Sequence, residues 1–328
     1  MINLRGWTSL DKSRFYTKRI NIIVLAAICT FLWGSAFPSI KVGYELFNIS
    51  ANNVGGKLIF AGYRFLLAGL FVLLMQIVRK EDIFKISMKD LKEVTILGLS
   101  QTSLQYIFFY IGLTYTTGVR GSIINGTSTF FSILLAHYIY KNDKLSSNKI
   151  IGCILGFIGV VIINLGGSSV LEGSFSFKGE GFIMIAAFLI SISSIYGKKI
   201  SQNKDASTVT GYQLTIGGLA LIILGYILGG HLSNFTVKST LLLIYMALLS
   251  SVAFALWSQL IKYNKVGVIS VYNFLIPVFG TILSAIVLKE NIFDLKILIA
   301  LILVCAGIYL VNINKEVIQY KEIINSEE

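Results

Sequence analysis

The sequence predicts an all-α integral membrane protein of ten transmembrane helices in two inverted five-helix repeats. Three observations predict it. Apolar stretches of helical length recur about ten times, basic residues gather in alternate loops, and unusual residues come into register when the chain is slid against itself by about 148 positions.

Composition sets the solvent. A soluble domain carries roughly 25% charged residues, whereas this chain of 328 residues has 13% charged, 55% hydrophobic and a mean hydropathy of +0.77. In a bilayer only helices and closed barrels satisfy their backbone hydrogen bonds, and the runs here are continuous and of helical length rather than short and alternating. The predicted spans are 20–44, 58–78, 93–114, 120–140, 148–166, 180–200, 208–229, 238–261, 267–288 and 294–314. No Pro- or Ser-rich linker separates them, so one membrane unit is expected, with tails at 1–19 and 315–328 and repeats at 20–166 and 167–314.

The net charge of +12 invites a nucleic-acid reading, which the distribution of that charge replaces. Arg5, Lys12, Arg14, Lys18 and Arg19 crowd the N-terminal tail, and Arg79, Lys80, Lys85, Lys89 and Lys92 surround the loop after span 2. Later loops on that side add Lys141, Lys144, Lys149, Lys198, Lys199, Lys204, Lys262 and Lys265; the other side has Lys57, Arg120, Lys178, Lys238, Lys289 and Lys296. The positive-inside rule then puts both termini in the cytoplasm of a multi-pass plasma (inner) membrane protein. The first apolar run is too long for a signal-peptide core and should stay as an anchor.

Cys29, Cys153 and Cys305 fall within spans without metal-ligand spacing, and His137 and His231 lie near span ends on opposite sides. No metal or cofactor is expected.

The repeat pairs Asn125 with Asn273, Tyr115 with Tyr263, Gly159 with Gly307 and Asn164 with Asn312. Slightly different shifts pair Tyr63-Arg64-Phe65 with Tyr212-Gln213-Leu214, Lys41 with Lys198, and Asp143 with Glu290. Five spans per copy is an odd number, so the second copy enters from the opposite side, a hallmark of secondary transporters whose site lies near the midplane between repeats.

Trp33-Gly34-Ser35 with Lys41, Arg64-Phe65-Leu66, Gln213, Pro277 followed by Leu288-Lys289-Glu290, and Gly-rich spans 5 and 10 together resemble the EamA family of the drug/metabolite transporter superfamily over residues 22–314. The resemblance implies a pseudosymmetric ten-helix carrier exporting amino acids, other small metabolites or toxic compounds by alternating access. The first copy departs from that family at its central kink, with Thr127-Ser128-Thr129-Phe130 where a proline like Pro277 is common.

Candidate substrate-binding residues follow from polarity at membrane depth. Asn125 and Asn273 are buried amides that need a cavity or a neighbouring helix, and Thr129 continues the polar stretch from Asn125. Gln101 and Gln105, four residues apart, share a helix face that Phe108 and Gly112 extend. Ser191, Ser193 and Ser194 offer hydroxyls from span 6, although serine can return its bond to its own helix. Trp33 sits too deep for a headgroup belt, and Gly34-Ser35 after it would let a solute approach the backbone. Trp257, closer to a span end, suits an interfacial belt as well as a cavity wall. Tyr106, Tyr110 and Tyr272 could extend an aromatic wall.

Hinge or gating roles are expected for Pro38 and Pro277, which each free a backbone carbonyl, and for Lys41 and Arg64. Glu45 lies one turn from Lys41, so a Lys41–Glu45 pair joined by Arg64 is available as a gate. Gly152, Gly156 and Gly159 form a small-residue face expected to pack within the molecule, in a monomer, with dimerisation the lesser alternative.

Catalysis finds no support in the chain, which lacks HExxH, GxSxG and paired mid-membrane aspartates. A channel would more naturally repeat a filter in an oligomer. No carboxylate lies at mid-depth, which disfavours cation antiport through a buried acid. The expected partner is therefore a small neutral or zwitterionic solute, with no nucleic acid; a multidrug exporter is the alternative carrier.

Overall fold

The computed structural model describes residues 9–50, 52–81, 83, 86–115, 124–164, 176–288, 295, 298–299 and 302–313. Arg5, Lys85, Arg120, Lys289, Glu290, Lys296 and the C-terminal tail, which enter the charge and repeat arguments, lie outside the described residues.

Every regular element among the described residues is helical. A short helix α1 (Ser9–Thr17) precedes α2 (Arg19–Leu46) and α3 (Val54–Val78). The third span is composite, joining α4 (Met88–Leu97) through a π-helical stretch, Gly98–Leu104, to α5 (Gln105–Tyr115). Then come α6 (Thr127–Ile139) and α7 (Ser147–Asn164). A π turn, Phe177–Gly181, opens α8 (Phe182–Ser201), followed by α9 (Ala206–Ile227) and α10 (Val237–Tyr263). The next stretch is again composite: α11 (Val266–Ser270), a 3-10 turn (Val271–Phe274) and α12 (Leu275–Leu288). Ile302–Ile313 forms α13.

Six of these units, α2, α3, α4 with α5, α8 with its π turn, α9 and α10, are long and apolar enough to cross a membrane. The other apolar helices contribute the shorter stretches Thr127–Ile139, Ser147–Ile162, Val266–Gly280 and Ile302–Ile313, of 10–17 residues. Caps rather than hydropathy fix several starts. Asn53 accepts the Gly56 amide at 2.7 Å and opens α3 at Val54, which draws Gly55, Gly56 and Lys57 into the helix ahead of the predicted start at 58. Asp205 caps α9 through the Thr208 amide at 3.0 Å.

The two copies meet along a glycine seam. Gly55, Gly62 and Gly69 of α3 face Gly225, Gly218 and Gly211 of α9, and a Cβ placed on Gly55, Gly62 or Gly69 would lie 2.7 to 2.8 Å from the carbonyl oxygen of its partner. The order of these contacts makes α3 and α9 antiparallel. Since apolar surface gains nothing by leaving lipid, close backbone packing of this kind is what holds membrane helices together. At a second seam, α7 meets α13 through Gly152 and Gly307, with Gly152 also against Val311 and Gly156 against the Phe274 ring. The small-residue face of span 5 is thus used within the molecule at Gly152 and Gly156.

The remaining packing comes in equivalent pairs. α2 packs on α12 as α8 packs on α6; α2 packs on α10 as α8 packs on α5; α3 packs on α10 as α9 packs on the Gly98–Leu104 stretch. Hydroxyls reinforce the second set. Ser191 donates to the Ser128 carbonyl at 2.8 Å, and the Ser193 and Ser100 hydroxyls meet at 3.1 Å.

Candidate functional site

Trp33 stands where the two largest apolar clusters meet. Its ring lies edge-on to Trp257, 5.1 Å between centroids, and to Phe254, 5.3 Å away. From Phe254 the aromatic chain continues to Phe65 at 6.1 Å, Tyr106 at 4.5 Å from Phe65, and Tyr110 at 6.0 Å from Tyr106. These rings come from α2, α3, α5 and α10, so both copies contribute. Trp257 is only 7% exposed, which removes it from any headgroup belt and places it in this wall. Tyr272 belongs to the other cluster, beside Phe274.

Trp33 Nε1, a donor at this wall, and Gln105 Oε1, an acceptor on α5, are both buried without a hydrogen-bond partner among the described residues. Gln105 is adjacent in sequence to Tyr106 and 6% exposed. Buried polar groups in native proteins are nearly all paired, so such orphans call for a functional account.

Arg64 lies on the same side of α3 as this cluster. It is 2% exposed; its Nε donates to Ser250 Oγ at 2.7 Å, and its guanidinium sits 5.0 Å over the Phe65 ring. Its charge is within electrostatic reach of Tyr44, Tyr106 and Tyr110. The expected Lys41–Glu45–Arg64 gate is not formed. Lys41 and Glu45 are exposed, and none of the three makes an ion pair among the described residues. The physical reason is depth: α3 holds Arg64 in the interior while Lys41 and Glu45 point outward from α2.

The face that carries Gln101 and Gln105 turns toward α8. The π-helical stretch widens the turn that carries Gln101 and breaks regular helical spacing. Phe108 meets Phe182 edge-on at 5.0 Å, a Cβ on Gly112 would meet Ile183 at 2.6 Å, and Gln101 approaches Gly197. Gln101, Phe108 and Gly112 therefore face α8, and Gln105, which stands at helical spacing from the last two within the regular α5, shares that face with its Oε1 unmet.

Asn125 and Asn273 are both half-buried and form no side-chain hydrogen bond among the described residues. The helices that bear them are linked where Thr129 Oγ1 donates to the Ser270 carbonyl at 3.4 Å. Asn273 occupies the 3-10 turn, four residues before Pro277, so the proline leaves the Asn273 carbonyl without its helical donor and loosens the segment there. Pro38, by contrast, lies buried within an unbroken α2.

Gly34 and Ser35 turn away from the aromatic wall. A Cβ on Gly34 would lie 2.7 Å from Phe279 Cβ, so α12 fills the space expected for a solute. Ser35 shares a 2.8 Å hydrogen bond with Tyr245 and lines a lateral cleft of about 350 Å³ between α2, α10 and α12, together with Pro38 and Ser39. Ser194 returns its hydroxyl to the Ile190 carbonyl at 2.7 Å. Cys29 and Cys153 are buried between helices, Cys305 is exposed, and His137 Nδ1 accepts the Leu145 amide at 3.0 Å, a structural use in the turn after α6.

Sequence reasoning missed Phe254 and Tyr44 in the wall, the α3–α9 glycine seam, and a buried Asp143–Lys149 pair on the turn between α6 and α7. The seam had a signal: both glycine triplets repeat every seven residues.

The chain matches the EamA-like transporter family over residues 20–165 and 177–313. It is 28% identical over 289 residues to an "Uncharacterized transporter" of Archaeoglobus fulgidus, covering 88% of this chain and 96% of that one. To the "Uncharacterized transporter YvbV" of Bacillus subtilis it is 27% identical, covering 88% and 90%. A crystal structure with 15% identity superposes with a TM-score of 0.73 over 89% of this chain and 96% of its own, a likeness of fold.

Proposed function

The chain belongs to the EamA-like transporter family, and on that premise we propose that it is a secondary transporter exporting amino acids or related small metabolites by alternating access. In this reading ten spans form two inverted five-helix repeats in the plasma membrane, both termini are cytoplasmic, and the solute binds in a central site between the repeats. The antiparallel α3–α9 and α7–α13 seams support the inversion, because each joins a helix to its own equivalent.

The observation that carries the site is the orphaned Trp33 Nε1, a donor buried at an aromatic wall. Leaving such a group unmet costs roughly 1–3 kcal/mol. A small polar solute that accepts from the indole recovers that cost while its apolar part packs on the rings.

Purified protein in liposomes should exchange radiolabelled amino acids, with no acceleration by a pH gradient, since no acidic residue among the described ones joins the wall. Trp33→Phe keeps the ring stack but removes the donor, and is expected to raise KM about 10-fold, the equivalent of one hydrogen bond of ~1.4 kcal/mol. Asn273→Ala should impair exchange as well. If no solute exchanges, or both variants behave as wild type, the central site is wrong.

A further inference from the structure

The geometry points to Arg64 as the anion anchor of the central site, where its guanidinium takes a carboxylate of the transported solute. This inference rests on the carrier reading and goes beyond it by making a free carboxylate a requirement for recognition.

Arg64 is a buried cation without a counter-charge. It is 2% exposed, and no carboxylate lies within ion-pair distance of it among the described residues. Of its donors only Nε is engaged, with Ser250 Oγ at 2.7 Å, while the two terminal amino groups make no hydrogen bond among the described residues. A planar fork with both prongs unused is the shape that binds a carboxylate bidentately.

The repeat supplies an internal control. The position equivalent to Arg64 in the second copy is Gln213, and the position equivalent to Ser250 in the first is Thr102. Gln213 Nε2 donates to Thr102 Oγ1 at 3.4 Å, the same helix-to-helix link that Arg64 makes to Ser250. A neutral amide therefore serves the packing role at this crossing. The positive charge is surplus to structure, and an unpaired buried charge is strongly unfavourable unless something pairs with it.

The surroundings complete a zwitterion site. Arg64 and the unmet Trp33 N–H are donors suited to a carboxylate. The rings of Tyr106 and Tyr110, beyond the Phe65 face that Arg64 already covers, suit an ammonium group. Because only one copy carries the charge, the carboxylate binds off the pseudo-twofold axis, toward α3.

Arg64→Gln is the discriminating variant, since it copies the residue the second repeat already uses. Proteoliposomes of wild type and variant would be assayed with L-leucine and L-phenylalanine against leucinamide and phenylalaninamide, which lack the carboxylate. The wild type should prefer the free acids. Arg64→Gln should raise KM for the acids at least 30-fold and leave the amides unchanged, so that the preference collapses, with Arg64→Lys falling between. Retention of the wild-type preference by Arg64→Gln would overturn the assignment.

If the variant does not fold, thermal shifts of the wild type with the same four compounds decide instead: stabilisation by the acids alone supports the anchor, and equal stabilisation by acids and amides overturns it. Exchange of solutes without discrimination removes the Arg64 role alone. Exchange and binding of none of them remove the carrier reading with it.

Discussion

Gly218→Leu should leave no correctly assembled protein in the membrane. A Cβ on Gly218 would stand 2.4 Å from the Leu66 amide nitrogen and 2.9 Å from the Gly62 carbonyl oxygen. Those obstacles are backbone in the middle of another long helix, so no rotamer change relieves them and the two helices must separate. The neighbouring contacts fail with it, because Gly62 and Gly69 use the same close approach. Overpacking a protein interior by a few methylenes costs roughly 1–3 kcal/mol when side chains can yield; here they cannot, and alanine alone at Gly62 or Gly218 should cost about that much. Gly229 is the control. It has φ +73° with nothing within 4 Å, so Gly229→Ala carries only the left-handed backbone penalty of roughly 1–2 kcal/mol. Size-exclusion profiles in detergent would read assembly. Unfolding would be followed by a thiol-reactive dye on buried Cys29 and Cys153, in a Cys305→Ser background that removes the exposed thiol. A monodisperse Gly218→Leu protein with wild-type melting would mean that α3 and α9 do not meet through these glycines.

This seam also shows what the sequence could and could not reveal. Hydropathy places helices well, because transfer into lipid dominates every other term and needs only local composition. It says nothing about which helices touch. The seven-residue glycine spacing in α3 and α9 becomes informative only once the inverted repeat is taken seriously, since equivalent helices can then cross antiparallel at the axis. Polar residues at depth were legible as a class, yet their direction was not. Trp33 reaches the wall, whereas Gly34, Ser35 and Gln101 lie against α12, a lateral cleft and α8. A π-helical stretch changes the angle between Gln101 and Gln105, and no spacing rule for α-helices anticipates that. The Lys41–Glu45 pair failed for the opposite reason. Its spacing was right, but both side chains are exposed and gain little from pairing in that setting.

The charged pair that matters was hidden by its geometry, and it yields the second large expected effect. Asp143→Ala should destabilise the protein by about 3–5 kcal/mol. Asp143 and Lys149 sit six residues apart across the turn between α6 and α7, where helical pair rules do not apply. Lys149 Nζ lies 2.5 Å from Asp143 Oδ1 and also donates to the Lys144 carbonyl at 2.7 Å. The other oxygen of Asp143, itself 2% exposed, accepts the Gly267 amide at 2.9 Å and so fixes the start of α11. Close by, Lys198 donates to the Asn264 carbonyl and lies 5.3 Å over the Tyr140 ring, while Asn264 Nδ2 reaches back to the Tyr16 carbonyl at 2.9 Å. The carboxylate thus ties the α6–α7 turn to the start of α11, next to the Asn264 contacts that join α1 and α8 to the α10–α11 turn. Removing it strands a buried ammonium and an amide donor together. Removing the ammonium as well should recover most of the loss, because a buried ion pair replaced by apolar groups is often near neutral. Asp143→Ala with Lys149→Met should thus melt well above Asp143→Ala alone, and Asp143→Asn should fall between, since its amide oxygen can still accept from Gly267. If the double variant melts as low as the single one, the cost lies in the lost Gly267 contact rather than in the stranded charge.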